Sequence, residues 1–197
     1  MIKSRKELIV VGILFLILLS LFLFRVKDEM VDFEVNYRAG HRIWLGETLY
    51  RAEDGHYQFK YSPFSALLYL PLSFLPLSLA KGIWYFLIIL SYVFIFYLTK
   101  ILLGVKKNFY LYTFLTFLIL SKFILREIQL GQINAVTTMM VMIMVWFLIT
   151  ENKSFLVDHR GWAGISGGLA TALKPYALIF FPYFLIKKQW KALFYGS

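Results

Sequence analysis

The chain has no cysteine, so disulfides and thiolate-bound metals are excluded, and the redox character of its compartment leaves no mark on it. Charge is also scarce. Only 16% of the 197 residues are Asp, Glu, Lys or Arg, against 60% hydrophobic and 19% aromatic, and the mean hydropathy is +0.69. Soluble domains carry roughly 45–50% apolar residues, and a globule of this size has no interior that could bury such an excess. There is no phosphate-cradling glycine loop and no dinucleotide fingerprint. Nor is there a small-x-small cleavage site after the first apolar run, where Phe22-Leu23-Phe24-Arg25 stands instead. That run is expected to remain as an uncleaved anchor rather than to be removed as a signal peptide.

Basic residues outnumber acidic ones, 21 to 11, for a net charge of +10. In a soluble protein that excess would suggest nucleic acid. Here the basic residues stand mainly at the ends of apolar runs, where they anchor helices and set topology, so no nucleic-acid partner is expected. The runs Leu8 to Phe24, Ile83 to Leu103, Phe109 to Leu125 and Ile133 to Ile149 each approach the roughly 20 residues needed to cross the hydrocarbon. They predict an all-α, polytopic transmembrane helical bundle forming a single domain over residues 1–197. Residues 63–80 are apolar too, but Pro63, Pro71 and Pro76 remove backbone donors, which predicts an interfacial or re-entrant segment. Residues 161–186 suffice for one crossing. Alternatively, Lys174-Pro175 divides them into a hairpin of two short helices meeting at an outward-pointing lysine.

Short cytoplasmic segments collect Lys and Arg. If residues 63–80 do not cross, then Lys3, Arg5, Lys6, Lys100, Lys106, Lys107, Lys153 and Arg160 all fall inside. The loop 25–62 falls outside with Asp28, Glu29, Asp32, Glu34, Glu47, Glu53 and Asp54, seven of the eleven acidic residues. The expectation is a multi-pass protein of the plasma (inner) membrane. The chain stops at Phe194-Tyr195-Gly196-Ser197 just after a basic stretch, which reads as a fragment of a longer protein.

The outer loop holds the residue best placed for chemistry. Asp32 lies several residues beyond the first helix, where a carboxylate can serve as general base toward an acceptor hydroxyl, although a lone loop carboxylate also reads as a solvated acid. His41 and His56 share no metal-ligand spacing with each other or with the carboxylates, so no bound metal is expected. Gly161, Gly164, Gly167 and Gly168 with Ala163, Ala170 and Ala172 predict a helix that packs closely through small faces. Met139, Met140, Met142 and Met144 read as lipid-facing or core-filling side chains.

A set of motifs in order carries a resemblance. Asp32-Phe33, Tyr37, Ala39-Gly40, then Gly46-Glu47-Thr48-Leu49-Tyr50, then Tyr61-Ser62-Pro63 leading into proline-containing apolar sequence, resemble glycosyltransferase family 87. Leu130-Gly131-Gln132-Ile133-Asn134 and the stretch from Gly161 to Lys174-Pro175 agree with it, so the resemblance spans roughly Val31 to Trp190. It implies a GT-C fold, a polyprenyl-phosphate-sugar donor with a mannose-like sugar, and a lipid or glycan acceptor among membrane lipids, with no cofactor. It also implies that Asp32 is the general base of an inverting transfer. Tyr37, Arg126, Gln132, Asn134 and Lys174 would then bind substrate, with Lys174 the first candidate and Arg126 the second for meeting the leaving phosphate. For Lys174 a snorkelling lysine is the competing reading, and for Gln132 and Asn134 it is capping and binding of neighbouring helices. A transporter or lipid carrier also fits the broken helix at Lys174-Pro175, and a scaffold subunit would fit the small-residue helix.

Overall fold

A computed structural model of the chain describes residues 5–104, 107–150 and 159–196; Lys3, Lys106 and Lys153 lie outside them. The described residues are helical, with no strand among them. In chain order they form α1 (Arg5–Leu21), a π-turn (Phe22–Val26), α2 (Val31–Leu45), a 3-10 segment (Ala52–Tyr57), α3 (Pro63–Ser73) and α4 (Leu77–Leu103). Then come α5 (Phe109–Leu130), α6 (Asn134–Ile149), α7 (His159–Leu173), a second 3-10 segment (Pro175–Phe180), α8 (Phe181–Ile186) and α9 (Trp190–Gly196). Two helices, α4 and α5, are long and apolar enough to cross a membrane; α6 and the segments Gly12–Val26, Pro63–Ser73 and Pro175–Ile186 are apolar but shorter. Apolar side chains cover much of the surface of α5, with Ile119 75% and Phe123 72% exposed. So extensive an apolar exterior is consistent with a membrane-associated protein.

Two segments differ from the sequence expectation. The stretch 25–62, expected as a loop, holds the fifteen-residue helix α2. Charged residues conceal it from a hydropathy reading, yet Phe33, Asn36, Ala39 and Gly40 are buried at the spacing of one helix face. A Cβ on Gly40 would stand 2.9 Å from the Tyr69 carbonyl carbon, so α2 rests directly on the backbone of α3. The prolines of residues 63–80 break the helix less than their number suggests. Pro63 begins α3 behind a Ser62 cap and Pro76 precedes α4, positions where a missing N–H costs nothing, and only Pro71 lies inside a helix.

The main core gathers α1, α2, α3, α4 and α6 around Phe33, Tyr69 and Trp84. The Tyr69 and Trp84 rings lie 4.7 Å apart between centroids, and Phe33 and Trp84 5.7 Å. Trp84 Nε1 donates to the Gly131 carbonyl at 2.9 Å, which ties this core to the joint between α5 and α6. Gly131 has φ +68°, and a Cβ there would approach Phe33 Cβ to 2.8 Å. Gly131→Ala therefore combines left-handed strain with overpacking and is expected to destabilise the protein by about 2–4 kcal/mol, read as a lowered melting temperature in detergent.

A second core packs α6 and α7 against the C-terminal helices through Met144, Ala163, Phe184 and Ala192. Here the small residues of α7 are needed: Gly164 abuts the Ala192 carbonyl, and a Cβ on Gly168 would lie 2.9 Å from the Gly196 carbonyl oxygen. Met144 fills this core at 1% exposure. At Lys174 the backbone becomes extended, and the chain after it folds back beside α7, bringing Phe184 against Ala163 and Met144.

Candidate active site

The start of α2, the joint between α5 and α6 and the end of α7 converge at one end of the bundle. Each is placed there by a local device. Asp32 sits in the first turn of α2, where a carboxylate is favoured by the helix dipole. Gly131 ends α5 in a left-handed turn, so that Gln132 and Asn134 open toward α2 within three residues. Lys174 follows the last residue of α7, where Pro175 prevents the helix from continuing.

Four of the side chains singled out in the sequence join in one hydrogen-bonded line. Lys174 Nζ donates to Asn134 Oδ1 at 2.5 Å, Asn134 Nδ2 to Gln132 Oε1 at 2.8 Å, and Gln132 Nε2 to Asp32 Oδ2 at 2.8 Å. Asp32 Oδ1 accepts no hydrogen bond from the described residues. The Lys174 ammonium also lies 5.7 Å from the centre of the Tyr61 ring, within cation–π range. Ser62 Oγ donates to the Ala172 carbonyl at 2.8 Å and so holds the Tyr61 segment against the end of α7. Burial first, and then the charge of Asp32, push the Tyr61 hydroxyl above the usual phenol range.

Asp32 and Gln132 face a groove of about 520 Å³ that is also lined by Tyr57, Lys60, Tyr61 and Arg126. Such a groove combines an acid, two cations and flat aromatic faces, the groups that suit a sugar attached to an anion. Arg126 thus reaches the groove, held through Nη1 by Gln129 Oε1 at 3.2 Å. Tyr37 does not: its hydroxyl donates to the Leu75 carbonyl at 2.8 Å and its ring packs near Phe33, so it braces α2. His56 lines the groove and His41 a separate one; no metal-binding group of three or more His, Asp or Glu occurs among the described residues.

Two supporting charges went unnoticed in the sequence. Glu127, 9% exposed, accepts from the Ala135 backbone N–H through Oε1 at 2.5 Å and from Tyr92 Oη through Oε2 at 2.8 Å. It caps the first turn of α6, the turn that carries Asn134. Lys81, 5% exposed, pairs with Glu34 at 2.7 Å and donates to the Lys27 carbonyl at 2.7 Å, pinning α2 to α4. Burial raises the Glu34 carboxyl, but Lys81 and Arg38 outweigh it and hold the group below its ordinary range.

The family model for glycosyltransferase family 87 matches residues 59–197. This span includes Tyr61, Arg126, Gln132, Asn134 and Lys174 but begins after Asp32 and α2. Neither the curated proteins nor the solved structures yield a match. With well over half of its length matched, and the matched part supplying most of the convergent side chains, the chain belongs to glycosyltransferase family 87.

Proposed function

We propose that this chain forms the catalytic face of a multi-pass membrane glycosyltransferase of GT-C type. It would transfer a mannose-like sugar, with inversion, from a polyprenyl-phosphate donor to a lipid or glycan acceptor at the outer face of the plasma (inner) membrane. Family membership supports a glycosyltransferase-type enzyme, and lipid-linked substrates suit a helical chain with so apolar an exterior. The observation that carries the reading is the line from Asp32 through Gln132 and Asn134 to Lys174, which fixes a carboxylate and an ammonium at opposite ends of one rigid arrangement.

In this reading the free Oδ1 of Asp32 removes the proton from the acceptor hydroxyl as its oxygen attacks the anomeric carbon. The bond from that carbon to the phosphate oxygen breaks, and its electron pair leaves with the polyprenyl phosphate. Arg126 and Lys174 offset the charge that develops there. Gln132, engaged at both ends of its amide, keeps Asp32 from rotating away. Because the leaving group arrives as a phosphate ester, no nucleotide-binding loop is required.

A transporter or lipid carrier is the second reading, favoured by the backbone break at Lys174. Two measurements separate and test these. Membranes containing the full-length protein are expected to transfer label from polyprenyl-phosphate-mannose and none from a nucleotide-linked mannose; substrate flux without transfer would favour the carrier. For the topology, cysteines introduced as Glu53→Cys and Lys107→Cys should react with impermeant reagent from opposite sides of the membrane, uncomplicated by native cysteine. Labelling of both from one side would contradict the arrangement.

A further inference from the structure

Helix α5 stands away from its neighbours and leaves an apolar groove on each flank. The first, of about 560 Å³, lies between α4, α5 and α6 and is lined by Phe96, Thr116, Ile124 and Glu127 among others. The second, of about 690 Å³, lies between α1, α4 and α5, with Leu18, Tyr85, Val93 and Phe117 in its walls and Arg25 at its end. Each groove has a single charged lining residue, and the signs are opposite: Glu127 in the first, Arg25 in the second. The Arg25 groove follows α5 from Tyr110 to Gln129, about 28 Å at the helical rise, close to the roughly 30 Å thickness of bilayer hydrocarbon.

The outer end of the second groove adjoins the Asp32 site. Gln129, which lines the groove, is hydrogen-bonded to Glu29 and to Arg126, and Arg126 lines the site where Asp32 lies. Arg25 itself has no ion-pair or hydrogen-bond partner among the described residues, and it sits in the π-turn that ends α1, a distortion often found at functional positions. A chain with an anionic head is suited to the Arg25 groove and opposed by the carboxylate of the other.

We propose that the groove between α1, α4 and α5 is the tail site of the lipid-phosphate donor, with the isoprenoid chain lying along α5 and Arg25 and Arg126 meeting its phosphate. The proposal rests on the glycosyltransferase reading and adds to it the side of α5 from which the donor enters.

The test compares two donors on membranes containing the full-length protein: long-chain polyprenyl-phosphate-mannose and an analogue with only two isoprene units. Val93→Trp fills the Arg25 groove, and Thr116→Trp fills the other. Val93→Trp is expected to raise KM for the long donor at least about tenfold, the equivalent of roughly two buried methylenes, with kcat and the KM of the short donor unchanged. Thr116→Trp should leave all of these alone, and Arg25→Gln should raise KM for both donors. A long-donor KM raised by Thr116→Trp and not by Val93→Trp would overturn the assignment. So would indifference to both, which would mean that an ordinary phospholipid or another protein segment fills the groove. Should Val93→Trp fail to fold, a diazirine-bearing polyprenyl phosphate on the wild type decides the matter: crosslinks at Val93 and Phe117 support the site, and crosslinks at Thr116 refute it. Transfer from the short donor shows that the underlying reading stands whatever the tail does, whereas a wild type inert toward both donors defeats the two together.

Discussion

Replacing Lys174 with methionine is expected to slow sugar transfer on the order of 10²- to 10³-fold, the loss usual when one preorganised donor to a developing anion is removed. Methionine keeps most of the unbranched stem, so packing beside Tyr61 survives. What disappears is the ammonium and its 2.5 Å bond to Asn134 Oδ1. That carbonyl then turns to water at the half-buried end of the line. Folding should be weakened by no more than about 3 kcal/mol, the upper end for one charge-assisted hydrogen bond. Steady-state transfer and thermal unfolding on the same preparation check both parts. If Lys174 only snorkels, transfer will stay within about threefold of wild type, well inside one tenfold step of 1.4 kcal/mol.

Asp32→Asn is expected to cost on the order of 10²- to 10⁴-fold in transfer, the contribution of a positioned general base. The amide is isosteric and its carbonyl still accepts the bond from Gln132 Nε2, which stands at 2.8 Å in the native protein, so the line to Lys174 persists. The remaining change is loss of a negative charge from the first turn of α2, worth about 0.3–1 kcal/mol of stability. A large loss of transfer beside a nearly unchanged melting temperature is therefore the expected pattern. Gln132→Leu breaks the line in its middle and offers a comparison: Asp32 stays charged but loses the donor that orients it.

How much of this was legible in the sequence depends on what each residue advertises. Long apolar runs announce themselves, and the bodies of α4, α5 and α6 fall where the hydropathy pattern puts them because apolar residues run through them with few polar interruptions. Asp32, Gln132, Asn134 and Lys174 were singled out through ordered motifs, since none of the four is informative alone, but their meeting in one hydrogen-bonded line is a product of the tertiary fold. Tyr37 belonged to the same motif but serves packing through Leu75, a distinction that a motif cannot make. Helix α2 was hidden because its buried face of Phe33, Asn36, Ala39 and Gly40 is small and partly polar, so window averaging dilutes it with the surrounding charges. Glu127 and Lys81 were hidden for a different reason. A carboxylate one turn before a helix end and a lysine near a helix start read as solvated or interfacial groups. Their burial depends on Tyr92, Ala135 and Glu34, partners that only the tertiary fold brings within reach.

The central claim is that the end of the bundle bearing Asp32 is a sugar-transfer site, and radiolabel transfer from polyprenyl-phosphate-mannose tests it most directly. Membranes carrying equal amounts of correctly inserted full-length wild type and Asp32→Asn would be compared over the same time course. The account predicts lipid- or glycan-bound label from the wild type and a loss of two or more orders of magnitude in the variant. Equal transfer by both proteins would contradict it by removing Asp32 from the chemistry.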